Sequence, residues 1–175
     1  EPQPSAHPYR DWNERITAEC YRPNTAARVI DGQGQIIQIV DNYQRMSFNV
    51  GPTLMSWLEH KAPDVHEALI AADRDSVKRF SGHGSAMAQA YNHMIMPLAS
   101  ARDKATQVKW GIADFRRRFG RDPEGMWLPE CAYVPGLERY LTGGGATAFA
   151  SKSAGTRTSA SEMQMSCSAS RLPRR

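Results

Sequence analysis

The 175-residue chain has only three cysteines, and no apolar run approaches the roughly 20 residues that a membrane span needs. Cys20, Cys131 and Cys167 are an odd number, lie far apart and form no C-x-x-C pair. This pattern argues against a disulfide framework and a zinc ribbon. It favours reduced thiols in a cytoplasmic protein. The absence of an apolar stretch at the N-terminus agrees, because a secretory leader requires one.

The sequence also lacks the charge distribution of a nucleic-acid-binding protein. Its formal net charge is +4, but residues 1–142 carry seventeen Lys/Arg and seventeen Asp/Glu side chains and are neutral. The whole excess lies in residues 143–175, which hold five cations and the single acid Glu162. A nucleic-acid binder would instead spread a basic patch over a folded face. We therefore expect neither a nucleic-acid partner nor a membrane partner.

The C-terminal residues 143–175 differ from the rest in composition as well as charge. Gly, Ala, Ser, Thr and Arg dominate, and Phe149 is the one aromatic residue. Such a composition buries too little apolar surface to offset the entropy of ordering. We therefore divide the chain into a folded unit, residues 1–142, and an unstructured basic tail, residues 143–175. The composition of this tail also fits an out-of-frame reading of a GC-rich gene.

The folded unit alternates strand and helix patterns, which predicts an α/β fold. Short apolar or β-branched runs between turn residues predict strands over 35–40, 46–50 and 125–128, whereas 87–96 fits a helix or a strand equally. Helices are predicted over 54–60, 65–80, 100–119 and 134–141. The third is the clearest, with one apolar stripe and Gly120 after its last residue. We expect the arginine triplet 116–118 to be a solvated helix end rather than a phosphate site.

Glu130 is the residue most suggestive of chemistry. It directly follows the apolar run 125–128, and α/β folds place catalytic groups at the C-terminal ends of such strands. Trp127 and Tyr133 lie three residues to either side, and sugar rings stack well on aromatic faces. Spacing alone, however, fits a loop glutamate in a surface ion pair better.

The nine residues 125–133, GMWLPECAY, resemble the third sequence motif of glycoside hydrolase family 57. That family includes α-amylase-like enzymes, 4-α-glucanotransferases and α-glucan branching enzymes. Residues 47–59 are similar to the family's SFN-GPTLL-WL stretch, and residues 84–98 resemble its second motif. Residues 9–14 resemble an early Y-DWNERI segment. The resemblance covers about residues 4–141.

The resemblance implies a role for each candidate residue. Glu130 would be the nucleophile of a retaining enzyme that acts on α-glucans, and Trp127 and Tyr133 would shape a sugar subsite. His93, and with less support His83, would line the same site; without the resemblance each would be an ordinary hydrogen-bonded histidine. No cofactor is implied, and no His, Cys and Asp residues have metal-ligand spacing.

Two family motifs have no counterpart in the sequence. The first carries a histidine and would precede residue 1, and the fourth carries the acid/base aspartate and would follow residue 143. The chain also does not begin with methionine. We therefore expect a fragment of a (β/α)₇-type barrel that does not by itself turn over α-glucans.

Other interpretations stay open at this point. The parent enzyme could be a hydrolase, a glucanotransferase or a branching enzyme. A different class, a non-catalytic carbohydrate-binding or scaffold remnant, is also compatible with the motifs. The sequence determines neither the glucan linkage nor the oligomeric state.

Overall fold

A computed structural model describes residues 2–143. The predicted tail, residues 143–175, lies outside them apart from Gly143, so its disorder stays a prediction. The described helices are α1 (Trp12–Ile16), α2 (Arg22–Thr25), α3 (Pro52–Lys61), α4 (Pro63–Arg79), α5 (Ala101–Phe119) and α6 (Glu138–Gly143). The described strands are β1 (Ala27–Ile30), β2 (Ile36–Val40), β3 (Ala88–Gln89) and β4 (Met126–Trp127). None of these helices is both long and apolar enough to cross a bilayer.

The strands form two separate sheets. β1 and β2 pair as an antiparallel hairpin, whereas β3 and β4 pair in parallel. A parallel bridge between Phe48 and Ala86 adds a third segment beside β3. Helices α3 and α4 connect Phe48 to β3, and α5 connects β3 to β4. The predicted mixture of helix and strand is therefore confirmed, but the strands within residues 2–143 do not form a barrel.

Helix α5 forms as its sequence pattern predicts. The Ser100 side chain accepts a hydrogen bond from the Asp103 backbone N–H at 3.2 Å, which caps the first turn. Gly120 ends the helix in the left-handed conformation at φ +67°, which costs little without a Cβ. Val108, Ile112 and Phe115 on the apolar stripe are buried in the core. Local periodicity and caps are sufficient to specify this element.

Helix α5 approaches β3 unusually closely. A Cβ atom on Gly111 would lie 1.9 Å from the carbonyl oxygen of Gln89, so only glycine fits between helix and strand. The strand segment itself contributes the small buried residues Ala86, Ala88 and Ala90. Small residues on both sides therefore let the α5 backbone contact the strand backbone.

A buried ion pair joins α4 to the loop before β4. Arg121 donates to both carboxylate oxygens of Asp73, at 2.7 and 2.9 Å, and the Asp73 side chain is only 3% exposed. Arg121 also donates to the carbonyl oxygen of Ala86 at 2.9 Å, while Asp73 accepts from the Ala86 N–H at 2.8 Å. The pair thus satisfies both backbone groups of a residue at the start of the parallel sheet.

The prediction of a solvated arginine triplet is wrong for one of its members. The Arg118 side chain is only 4% exposed and bonds to Asp114 on its own helix at 3.0 Å. It also reaches α3, where it donates to the Ser56 hydroxyl at 2.8 Å and to Glu59 at 3.3 Å. Arg118 therefore ties α5 to α3, because it faces the neighbouring helix rather than solvent. Arg116 and Arg117 are half exposed, as predicted.

Three predicted elements are shorter than expected. Residues 46–50 contribute only the single bridge at Phe48, and the ambiguous segment 87–96 is a two-residue strand followed by coil. The last helix begins at Glu138 rather than at residue 134, since Gly136 adopts φ +91° and interrupts the helical backbone. Strand β1, which the sequence did not suggest, pairs with the predicted strand β2.

The ion pair generates a stability prediction. In the purified chain, Arg121→Met is expected to lower the free energy of unfolding by about 3–5 kcal/mol, because Asp73 would remain buried without its countercharge. Urea unfolding followed by circular dichroism measures the change. The control is Arg116→Met, which removes an exposed pair with Asp122 and is expected to cost no more than about 1 kcal/mol. Equal losses in both variants would contradict this account.

Candidate active site

Glu130 and His93 meet at the C-terminal edge of the parallel sheet. Gln89 is paired with Trp127, His93 follows Gln89 by four residues, and Glu130 follows Trp127 by three. Because the strands are parallel, both chain segments leave the sheet at the same edge. There the His93 Nε2 atom lies 2.7 Å from the Glu130 Oε1 atom. When Glu130 is ionised its oxygens only accept, so His93 Nε2 is then the donor.

A strained turn presents the Glu130 side chain to solvent. Glu130 and Cys131 both adopt left-handed backbone conformations, at φ +55° and φ +51°. Such conformations cost on the order of 1–3 kcal/mol each in non-glycine residues and are concentrated at functional sites. The N–H of Cys131 donates to the carbonyl of Leu128 at 2.9 Å, and Pro129 is fully buried. The turn is thereby anchored while the Glu130 carboxylate remains 63% exposed.

Trp127 supplies an aromatic surface beside this pair. Its ring centroid lies 5.4 Å from that of His93, with the ring planes tilted by 49°. His93 therefore contacts both Trp127 and Glu130 and links them. This strand edge therefore combines a carboxylate, which can act as a nucleophile, with an imidazole hydrogen-bonded to it and an aromatic surface. The structure thus brings together three of the five residues that the sequence singled out.

The Tyr133 hydroxyl is hydrogen-bonded to Glu138, the first residue of α6. That hydroxyl donates to the Glu138 Oε2 atom at 2.9 Å, and the N–H of Gly136 donates to the same oxygen at 2.8 Å. The pKa of Glu138 lies below its usual value, because the carboxylate accepts hydrogen bonds from the Glu138 backbone N–H and from the Tyr133 hydroxyl. The same hydrogen bond raises the pKa of Tyr133. Sequence reasoning missed Glu138, although its position two residues after Gly136 is a turn signal.

His83 lies away from the other candidates. It precedes β3 by five residues, and its Nδ1 atom lies 2.6 Å from the Oε2 atom of Glu124, which precedes β4 by two. Both residues are therefore at the N-terminal edge of the parallel strands, opposite to Glu130. The structure does not bring His83 together with Glu130, because His83 precedes β3 whereas His93, within the second motif, follows it.

A third segment reaches the same edge as Glu130. Asn49 follows the bridging residue Phe48, and its side-chain amide donates to the Oε1 atom of Gln89 at 2.6 Å. This bond joins the end of the Phe48 segment to the end of β3. Sequence reasoning assigned no role to Asn49, whose only signal was its place within the SFN stretch. Across residues 2–143, no three His, Cys, Asp or Glu side chains converge as a metal site requires.

Comparison with known proteins gives a consistent family. The family model for glycosyl hydrolase family 57 matches residues 12–168. A 1,4-α-glucan branching enzyme from Thermococcus kodakarensis is 42% identical over 65 residues, which are 36% of this chain and 10% of that protein. Alpha-amylase 1 from Dictyoglomus thermophilum is 32% identical over 93 residues, which are 53% of this chain and 12% of that protein. No solved structure matches the chain.

The extent of these matches adds two facts. A 4-α-glucanotransferase from Thermococcus litoralis is 27% identical over 108 residues, which are 60% of this chain and 15% of that protein. The matched segments thus span only 10% to 15% of the lengths of these three relatives. The family match also continues to residue 168, past residue 141, where the resemblance read from the motifs ended.

The Tyr133–Glu138 contact generates a prediction on pH dependence. Because folding lowers the pKa of Glu138, its ionised form stabilises the fold above the unfolded-state pKa. That stability is lost as the pH falls through the folded-state pKa. Tyr133→Phe removes one donor, so we expect the pKa of Glu138 to rise toward its usual value. Carbon-detected NMR titration of the glutamate carboxyl groups measures it.

The control for this titration is Tyr140→Phe. The Tyr140 hydroxyl accepts from Arg139 at 2.9 Å and does not bond to the Glu138 carboxylate. We expect the pKa of Glu138 to stay unchanged in this variant. A Glu138 titration curve that is identical in Tyr133→Phe and in the unaltered chain would show that the hydroxyl is not its donor in solution.

Proposed function

Because the chain belongs to glycosyl hydrolase family 57, we propose that it carries the nucleophile of a retaining enzyme that acts on α-glucans. Glu130 is the proposed nucleophile. The observation that carries the proposal is the 2.7 Å contact between Glu130 and His93 at the ends of two adjacent parallel strands. Trp127 beside this pair supports a sugar ligand, since its face suits the apolar C–H side of a pyranose ring.

In the proposed reaction the Glu130 carboxylate attacks the anomeric carbon and the glycosidic oxygen departs. A second carboxyl group, about 5–5.5 Å away in retaining enzymes, protonates that oxygen as the bond breaks. Water or a sugar hydroxyl then releases the glycosyl group from Glu130. His93 holds the attacking carboxylate in one orientation through its Nε2 hydrogen bond. Transfer and hydrolysis differ only in the acceptor, and the proposal covers both.

We also propose that Phe48, β3 and β4 belong to consecutive strands of a (β/α)₇-type barrel. Their parallel pairing, with helices between them, supports this arrangement. The acid/base aspartate would then come from elsewhere in the complete barrel, since no fourth-motif segment was recognised in the sequence.

The free cysteines among the described residues, Cys20 and Cys131, agree with a cytoplasmic location.

A glycosyl fluoride tests the nucleophile separately from the acid. Fluoride departs without protonation, so an activated donor such as 5-fluoro-α-D-glucosyl fluoride needs only the attacking carboxylate. We expect this reagent to add one glycosyl group to the chain at Glu130, as located by peptide mass spectrometry. The variant Glu130→Gln should not be labelled.

The matched control is Glu124→Gln. Glu124 also bonds to a histidine, at 2.6 Å, but at the opposite edge of the strands. This variant should be labelled as fully as the unaltered chain. Labelling that is absent, or that persists in Glu130→Gln, would refute the assignment. Glucan binding without any labelling would favour the non-catalytic carbohydrate-binding alternative.

Unactivated substrates should behave differently. We expect the purified chain to release no product from maltooligosaccharides, because general acid assistance is typically worth ~10²–10⁴ in rate and its aspartate was not recognised in the sequence. Chromatography of the sugars after incubation measures the products. Turnover that disappears in Glu130→Gln would show that the chain holds a complete site, and would contradict the prediction that it is an inactive fragment.

A further inference from the structure

An aromatic pair of one exposed and one half-buried ring lies outside the site described above. Trp110 on α5 is 54% exposed, and its ring centroid lies 5.7 Å from that of Tyr91 with the planes at 82°. An edge-to-face pair covers only one face of one of its two rings.

Trp12, another exposed tryptophan, has both its ring face and its indole N–H in contact with neighbouring residues. Trp12 is 47% exposed, but the Arg15 guanidinium lies over its ring at 5.0 Å and its N–H donates to the Ser5 hydroxyl at 3.0 Å. Within residues 2–143 no cation lies over Trp110 and no hydrogen-bond acceptor is bound to its indole N–H. Among the described residues, Trp110 thus lacks both of the contacts that engage Trp12.

The position of the pair is fixed by a buried glutamine. Gln107, one turn before Trp110 and 5% exposed, accepts the N–H of Tyr91 at its backbone carbonyl at 3.2 Å. Its side-chain oxygen accepts the N–H of Asn92 at 2.7 Å. These two bonds hold the loop after β3 against α5. Tyr91 is therefore kept beside Trp110 without a ligand, which lowers the entropy cost of binding.

The same loop leads directly to the candidate active site. Tyr91 precedes His93 by two residues, so their Cα atoms are at most about 7 Å apart. His93 in turn contacts Glu130 and Trp127. A linear sugar chain that occupies the active site therefore has a second aromatic surface within a few residues of polypeptide.

We propose that Trp110 and Tyr91 form an auxiliary contact surface for α-glucan chains, continuous with the candidate active site. This inference rests on the proposed function, because its ligand is the same α-glucan that is proposed to bind at Glu130. The aromatic faces stack on the C–H faces of glucose units, and the indole N–H donates to a hydroxyl at the ring edge. A longer α-glucan makes more of these contacts than a disaccharide bound beside Glu130 does.

The indole N–H signals of the four tryptophans test the proposal by ¹⁵N NMR, with single substitutions giving the assignments. Maltose should shift the Trp127 signal alone, whereas maltoheptaose should shift those of both Trp127 and Trp110. Trp110→Ala is expected to raise the Kd for maltoheptaose by about threefold to tenfold and to leave the Kd for maltose unchanged. The matched control is Trp12→Ala, which should change neither Kd.

Failure of this surface is distinguishable from failure of the proposed function. If Trp127 responds to maltoheptaose and Glu130 is labelled, but Trp110 does not respond, the auxiliary surface is refuted and the active site stands. If Trp127 does not respond and Glu130 is not labelled, the proposed function and the inference resting on it are both refuted. The shifts in the unaltered chain decide these outcomes even if Trp110→Ala fails to fold.

Discussion

The bidentate contact between Asp73 and Arg121 is the interaction on which the parallel sheet and its edge depend. It bonds both backbone groups of Ala86, two residues before β3, and so fixes where that strand begins. Gly84 makes the contact possible, because a Cβ there would lie 2.1 Å from the Arg121 guanidinium. β3 in turn sets the register of β4, which leads to Glu130. The Asp73–Arg121 ion pair and the Glu130 carboxylate therefore lie at opposite ends of the same strands.

Local information in the sequence was enough for the three longest helices, α3, α4 and α5, and for the family. Helix α5 has an apolar stripe, a serine cap and a terminal glycine, and each acts within a few residues of the bond it specifies. The motif around Glu130 is equally local, since its strand, turn and aromatic neighbours fall within nine residues. The family it indicated agrees with the family match.

Contacts between distant residues could not be predicted in the same way. Asp73 and Arg121 are 48 positions apart, and neither stands out in its own segment. The contact between His93 and Glu130 depends on the register of two strands of two residues each, too short to give a periodic pattern. His83 shows the same limit, because proximity to a motif does not tell which end of a strand a residue occupies. Arg118 was assigned to solvent since its partners on α3 are about 60 positions away.

Because Gly111 has no side chain, α5 lies close to β3, and this packing sets the distance between Trp110 and Glu130. Glycine inside a helix costs about 1 kcal/mol relative to alanine, yet here it lets α5 rest on the Gln89 carbonyl. Any larger residue would push the helix outward and carry its neighbour Trp110 with it, while Glu130 stayed with the sheet. The distance between Trp110 and Trp127 is therefore set by the packing of the α5 backbone against the sheet. A substitution at residue 111 would therefore alter the proposed preference for chain length without changing any residue of the proposed sugar-binding surfaces.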